Sequence, residues 1–488
     1  MSYFVVQFPL ITEIYQEAIL NKRFKIAQNI YNGVVNVTQK RYQEMIKTKS
    51  YRELLSSLSN NIVKDKVIWK EISKIRKQFH IDEYSFYNDV KKMQHHFKDN
   101  IDAFTAQKIA STVWKSYDAL LFGNGKKVYY KRKDELSSLE GKSNKTGIRF
   151  INRQLVWKGL VIPACIDEKS LYEYESLKLE IAYCRILRKF VKNKFHYYVQ
   201  IVFKGKPPIK INQITGKAKH SMGEGDVGLD IGTSTIAIAS KTNVSILELA
   251  DKVQTIENIK RQLLRKMDRS RRMMNPNSFN DDGTIKKQGN KKVVWIQSNH
   301  YKECRNNLRE LLRKQKDTRK YQHECLANYI ISLGEHIYVE TMNFKGLQKR
   351  STKTEVSKKT GRINRKKRFG KSLGNRAPAM LLSIIDRKLK CFDKELMKIN
   401  TCEAKASQFN HIEEVYKKKK LSQRWNNFNG IKIQRDMYSA YLIMNINKDL
   451  STFNMDKCNE RFSDFLELHD KEVKRLTGNR NLGSISIS

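Results

Sequence analysis

Acids are scarce in this chain: 50 Asp and Glu stand against 95 Lys and Arg, a net charge of +45 with a pI near 9.9. Such an excess repels itself in a compact protein unless a polyanion neutralises it. Nucleic acid is the commonest polyanion to do so, because phosphate neutralisation releases counterions. Long apolar runs are also missing. No stretch of about 18 apolar residues occurs, so no membrane partner is expected. The opening Met1-Ser-Tyr-Phe-Val-Val has neither a basic leader nor a small-residue cleavage site, and secretion is not expected. Cysteine is sparse and dispersed: none of Cys165, Cys184, Cys304, Cys325, Cys391, Cys402 and Cys458 forms a C-x-x-C pair. That spacing argues against a cysteine-based zinc site and suits a reducing cytoplasm.

What is present is enough apolar material, 40% of 488 residues, for two or three cored domains of α+β type. Residues 3–8 read as a strand. From 12 to 122 apolar residues recur at three- and four-residue steps, which predicts helices. Between 123 and 215 the texture becomes β-rich: Val128-Tyr-Tyr, Gln154–Trp157, then a hairpin from Leu177–Phe190 into Phe195–Phe203 across Lys-Asn-Lys. One economical reading is a β-domain, residues 1–11 with 123–215, interrupted by the helical insert. A linker follows over 216–225. A third block covers 226–448 and contains a long helical pair, 251–333, broken by a polar loop at Asn275–Asn290. The order of the tail, 449–488, is left open.

Three carboxylates stand out. In Val227-Gly-Leu-Asp-Ile-Gly232 the apolar residues Val227, Leu229 and Ile231 alternate with Gly228, Asp230 and Gly232. One strand face is apolar, and the other offers a carboxylate between glycines that permit close approach of a backbone, a bulky partner or a metal. Taken alone, Asp230 could equally be an ordinary strand-end acid. Glu340 ends the apolar strand His336-Ile-Tyr-Val-Glu340, where a solvated carboxylate is the commoner outcome. Asp436 opens the helical pattern Met437, Ala440, Tyr441, Met444, where a helix cap is the simpler role. Phosphodiester cleavage gives such acids a common purpose. Two divalent cations about 4 Å apart stabilise the attacking and leaving oxygens, and hard Mg2+ or Mn2+ calls for carboxylate oxygens.

Together these segments resemble the three RuvC motifs of TnpB, the RNA-guided nucleases of bacterial insertion sequences, and of their relatives the compact type V CRISPR effectors. G-L-D230-I-G is similar to the first motif, V-E340-T-M-N343-F-K-G-L to the second, and R435-D436 with its helix to the third. Tyr129-Tyr-Lys-Arg-Lys through Gly141-Lys-Ser-Asn-Lys-Thr-Gly147 also looks like that family's wedge segment. The resemblance spans the whole chain. It implies a β-barrel wedge domain (1–11 with 123–215) carrying a helical recognition insert (12–122), followed by a RuvC-like nuclease of ribonuclease-H fold. It further implies a catalytic, metal-holding set of Asp230, Glu340 and Asp436, two Mg2+ or Mn2+ ions, and a guide RNA. The DNA partners would be a duplex target and its displaced strand, in a bacterial cytoplasm and at the nucleoid when DNA-bound. Two departures are visible. The family's zinc ribbon corresponds to a region of about 402–434, where Asn, Phe and His stand in place of cysteines, so no structural zinc is expected. Tyr438 replaces the usual Asn of R-D-x-N-A.

Two other readings compete. G-L-D-I-G-T-S-T also resembles the first phosphate loop of actin-like phosphotransferases, but the second glycine-rich loop is missing, since no Gly-Gly pair occurs. A non-catalytic RNA- or DNA-binding protein would explain the charge equally well, and only the acids discriminate. Candidate nucleic-acid contacts are Arg362, Arg365, Lys366, Lys367 and Arg368, in a loop of twelve Lys/Arg and one acid between Lys345 and Lys371. A second set is Arg261, Arg265, Lys266, Arg269, Arg271 and Arg272, on a helix whose packed side would carry Leu263 and Leu264. A third is Tyr130, Lys131 and Arg132, beside Tyr129 and Lys133.

Overall fold

A computed structural model describes residues 2–58, 65–122, 125–286, 293–349, 356, 369–420, 423–428 and 430–478, in two units, Met1–Ile211 and Asn212–Ser488. In the first unit β1 (Tyr3–Pro9) is followed by five helices: α1 (Ile14–Met45), α2 (Lys49–Ser56), α3 (Lys66–Gln78), α4 (Glu83–His96) and α5 (Ala103–Leu121). Buried Leu20, Phe24, Ala27, Tyr31, Val34 and Val35 recur at helical spacing along α1 and form its core stripe. The chain then makes β2 (Ser138–Glu140), β3 (Arg149–Ile151), β4 (Gln154–Trp157), β5 (Leu160–Pro163), α6 (Leu171–Leu177), β6 (Ile181–Val191) and β7 (Lys194–Lys204). β1 pairs with β7, Tyr3 opposite Lys204 and Pro9 opposite Tyr198. Lys192 and Asn193 turn the β6–β7 hairpin with positive φ at both residues, which matches strand twist.

The expected β-barrel is not what forms. The strands make a four-stranded sheet, β1-β7-β6-β2, and a separate three-stranded one, β3-β4-β5. The sheets meet through a bridge from Leu10 to Ala164 but do not close. β2 and β3 are only three residues each, and the Gly141–Gly147 segment between them folds back on itself. Asn144 brackets Phe150 there, accepting its N–H and donating to its C=O. Gly147 adopts φ +65 with its Cα facing the Asp102 carboxylate, where a Cβ would lie 2.6 Å from Oδ1. Two β-rich readings are also corrected. Leu177 ends a helix, and Tyr129–Lys133 lies outside any ladder, held to α1 by the Asn32 amide, which bonds both the N–H and C=O of Lys131.

The second unit opens with β8 (Asp226–Ile231), β9 (Thr235–Ser240) and β10 (Val244–Glu248), then the helical pair α7 (Val253–Met274) and α8 (Asn299–Leu333). β11 (His336–Glu340), α9 (Phe344–Leu347), α10 (Gly370–Arg376), α11 (Pro378–Leu389), β12 (Met397–Ile399) and α12 (Thr401–Ala404) follow. Two small hairpins come next, β13 (Phe409–Asn410) with β14 (Val415–Tyr416) and β15 (Trp425–Phe428) with β16 (Ile431–Gln434). Three helices finish the described chain: α13 (Arg435–Met444), α14 (Met455–Glu460) and α15 (Phe462–Thr477). The sheet order is β10-β9-β8-β11-β12, with β8, β11 and β12 parallel and β9 and β10 antiparallel to their neighbours.

Period-two alternation decides which helix covers which face of this sheet. Val227, Leu229, Ile231, Ile236, Ile238, Ile337 and Val339 pack against α8 and α11. The opposite face is built from small residues, Gly228, Ala237 and Ala239, and α13 lies on it. Part of the tail joins this core. Phe465 of α15 stacks on Tyr441 with ring centres 4.3 Å apart. Glu472 of α15 accepts the N–H of Ile246 on the edge strand β10, satisfying a donor that an open sheet edge would leave bare.

Candidate active site

Asp230 and Glu340 are delivered by adjacent parallel strands. Val339 pairs with Leu229, which sets Glu340 at the next register position beside Asp230, on the face opposite the apolar core. α13 brings the third acid over the same face. It lies hard against Gly228: a Cβ there would lie 2.0 Å from the Ala440 carbonyl oxygen and 2.4 Å from the Met444 nitrogen. Only a glycine lets the helix sit so near the strand. Gly232 is different, since the nearest atom to a Cβ would be 3.4 Å away, in the Thr235 carbonyl. The cap of α13 is Gln434, whose side chain accepts the Met437 N–H at 2.8 Å. Asp436, in the first turn, is thereby spared the capping role that its position suggests.

The electrostatics tie the three together. Burial, then the charges of Glu340 and Asp436, push the Asp230 carboxyl well above the usual carboxylate range. Arg435 and the Ser439 hydroxyl pull it back. Burial also raises Glu340. Asp436 is answered by arginine: Nε and Nη2 of Arg435 donate to its Oδ1 at 3.1 and 3.0 Å, and Nη1 of Arg424 to its Oδ2 at 3.4 Å. In that arrangement no three His, Cys, Asp or Glu side chains among the described residues gather closely enough to hold one ion. The donor set itself suits a hard divalent cation. It is all carboxylate, and its mutual repulsion is what an ion would relieve.

Several contributors lack any motif of their own. Ser439 reaches Asp230 from the helix, and Arg424 stands twelve residues before the acid it holds. His469 of α15 accepts the Gln434 N–H at 3.0 Å, bracing the cap of α13 from the tail. Only Arg435 could have been suspected, as the neighbour of Asp436.

The region of about 402–434 packs by aromatic contact. Tyr438 shares its hydroxyl between the His411 N–H at 3.1 Å and His411 Nδ1 at 2.5 Å. Its ring lies 5.0 Å from Phe428, and the His411 ring 4.7 Å from Phe462. Burial lowers the His411 pKa to about 4. Phe409 joins the cluster through Tyr416 and Phe453.

Of the basic candidates, Arg362, Arg365, Lys366, Lys367 and Arg368 lie outside the described residues. On α7, Arg261, Arg265, Lys266 and Arg269 are exposed. Arg271 and Arg272 are partly spent inside the hairpin. Arg271 donates to Tyr301 Oη at 2.9 Å and lies over Trp295, while Arg272 pairs with Asp268 and lies over Phe279. Leu263 packs against α8, but Leu264 is 45% exposed, contrary to the packed role expected of it. In the first unit Tyr130 and Arg132 are exposed, and Lys131 lies over Tyr31. Among the described residues no helix is long and apolar enough to cross a membrane.

No family model matches the chain, and no curated protein matches it. Two solved structures are similar over most of its length. One is a cryo-EM structure of a Cas12f1–sgRNA–target DNA complex, at 12% identity and a TM-score of 0.42, covering 90% of this chain and 98% of that one. The other is a cryo-EM structure of a CRISPR–Cas12f ternary complex, at 13% identity and a TM-score of 0.26, covering 91% and 99%.

Proposed function

We propose that this chain is an RNA-guided DNA endonuclease that hydrolyses phosphodiester bonds with divalent metal, of the TnpB type. A compact type V CRISPR effector is the alternative within the same class. The observation that carries the reading is the crowding of Asp230 by Glu340 and Asp436. Three segments far apart in sequence bring negative charge together in a chain of +45, where a protein that only bound nucleic acid would gain nothing from it. The actin-like phosphotransferase reading has no second phosphate loop to draw on.

In this reading Asp230 and Glu340 offer carboxylate oxygens at neighbouring strand ends, and Gly228 keeps α13 close enough for Asp436 to join them. Bound Mg2+ or Mn2+ would activate water and stabilise charge on the attacking and leaving oxygens. The exposed cations of α7 would follow phosphates without reading bases. Sequence choice would fall to pairing between guide and target, with the protein reading a short adjacent motif.

The test is to purify the chain from cells carrying its native genomic neighbourhood and sequence the copurifying RNA. A discrete RNA with a transposon end and a variable flank is expected; a processed repeat–spacer RNA would favour the CRISPR alternative. Plasmid DNA matching that RNA should be cut with Mg2+ present, and Asp230→Ala or Glu340→Ala should reduce cutting to background while sparing RNA binding. Random RNA, or cutting by either variant at the native rate, would overturn the proposal.

A further inference from the structure

We infer that Arg424 and Arg435 form a latch on Asp436 which an arriving DNA phosphate opens, so that the metal site is completed only when the strand is in place. The inference rests on the nuclease reading above. Both oxygens of Asp436 face a guanidinium, but the two arginines are held differently. Arg435 is fixed: Nε and Nη2 lie on Oδ1, Nη1 donates to the Gln423 carbonyl at 3.2 Å, its backbone N–H donates to the Arg424 carbonyl at 2.9 Å, and its side chain is 12% exposed. Arg424 makes one long contact, Nη1 to Oδ2 at 3.4 Å, and its side chain is 38% exposed. It is the movable half.

The chemistry of the pair sets the consequence. A carboxylate oxygen under a guanidinium can still accept a second partner, but two positive charges on it repel an incoming cation. Asp436 is thereby kept from joining Asp230 and Glu340 around an ion, although its charge already reaches Asp230. A phosphodiester is a better partner for a guanidinium than one long contact to a carboxylate, because its oxygens match the planar fork. Transfer of Arg424 from Asp436 to a phosphate would do two things together. It would free Oδ2, and it would remove a positive charge from the place where the metal must bind. Arg435 would stay and hold the angle of the carboxylate. DNA arrival and metal affinity would then be coupled, and by linkage each would strengthen the other.

The experiment is a Mn2+ titration of the full chain, with free ion read by electron paramagnetic resonance and no turnover involved. Wild type should bind Mn2+ weakly alone and about fivefold more tightly once a phosphorothioate single strand is added, the range expected for releasing a partly exposed ion pair. The strand titrated alone gives the ions held by DNA itself, to be subtracted, and Asp436→Asn with the strand should stay at the weak level. Arg424→Gln should bind Mn2+ at the tighter level without any strand. Arg424→Lys, which keeps the charge, should stay near wild type and shows that the loop still folds. If Arg424→Gln binds no tighter than wild type, or the strand fails to tighten wild type, the latch is refuted; loss of binding in Asp230→Asn would still leave the metal site standing. Mn2+ binding that ignores Asp230→Asn would refute both.

Discussion

On one side of α13, Tyr438 and Tyr441 lie among Phe428, Phe462, Phe465 and His411, and their hydroxyls find partners within the chain, His411 for one and the Cys458 carbonyl for the other. On the other side Asp436 and Ser439 lie near Asp230, whose charge the chain leaves under repulsion. One helix thus has a face that the protein completes for itself and a face that it leaves incomplete. The incomplete face is where a cation has work to do. α7 repeats the contrast on a smaller scale, with Arg271 partnered within the hairpin, Arg272 paired with Asp268 at its surface, and Arg261, Arg265 and Arg269 turned to solvent.

The harshest way to break the contrast is to push the helix off the strand, because both faces depend on its position. Gly228→Val would place side-chain atoms where the backbone of Ala440 and Met444 now lies, and main chain cannot step aside as a side chain can. A loss of about 3 kcal/mol is expected in urea denaturation, together with loss of Mn2+ binding. Gly232→Ala, whose Cβ would meet Thr235 only at ordinary van der Waals distance, should cost far less. Equal costs at the two positions would show that close helix approach is not what Gly228 serves.

The completed face carries its own weakness, which acid should expose. His411 is buried neutral, with its pKa lowered to about 4 from an ordinary 6.5. Between those values the unfolded chain binds a proton that the folded one refuses. The contribution of His411 is therefore whole above about pH 6.5, falls as pH drops through the window, and levels off near pH 4. At pH 5 the loss should be about 2 kcal/mol. His411→Phe should flatten the wild-type difference between denaturation at pH 7 and at pH 5; an unchanged slope would place the acid sensitivity elsewhere, His323 and His469 being the other buried candidates.

The incomplete face should respond in the opposite sense. Without metal, Asp230→Asn removes a half-buried charge that Glu340 and Asp436 oppose, so the metal-free variant should melt higher than wild type, by about 2–4 °C. Added Mn2+ should raise the melting temperature of wild type and leave that of the variant unchanged. A variant that melts lower would mean that Asp230 is compensated in the fold.

These two faces were unequally legible from sequence. Val227, Leu229 and Ile231 alternate with Gly228 and Asp230, and strict period two is a local signal that needs no tertiary knowledge. It showed that one strand face was apolar and that something approached the other; that the approaching group was the backbone of α13 depended on contacts two hundred residues away. The same limit hid Arg424, because a surface arginine twelve residues from its partner has no spacing to betray it. The β texture pointed only to a β-domain and the barrel came from the resemblance, yet closure depends on register and strand length, which three-residue strands such as β2 and β3 do not announce. The helices at 455–477 were obscured by their charge. Phe462, Phe465, His469 and Leu476 do recur at helical steps, but nothing local distinguishes Glu472, a buried carboxylate turned onto a strand N–H, from a solvated acid.

The smallest effect sharpens the contrast along α7. Arg265 is exposed, whereas Arg271 spends its guanidinium on Tyr301 and the face of Trp295. If exposed cations serve phosphates and partnered ones serve the hairpin, the two substitutions should separate by observable. Arg265→Ala should lower the dependence of log affinity on log salt by about 0.7, the counterion release that one phosphate contact on a single strand brings, and leave the melting temperature alone. Arg271→Ala should cost about 0.5–1 kcal/mol of stability through the lost cation–π contact and leave the salt slope alone. A filter-binding series against a 30-nucleotide single strand, run from low to moderate salt, reads the first; a melting curve reads the second. Identical salt slopes for the two variants would mean that Arg271 reaches the nucleic acid despite its partners, and that placement of a guanidinium over Trp295 is no guide to which cations of α7 face phosphate.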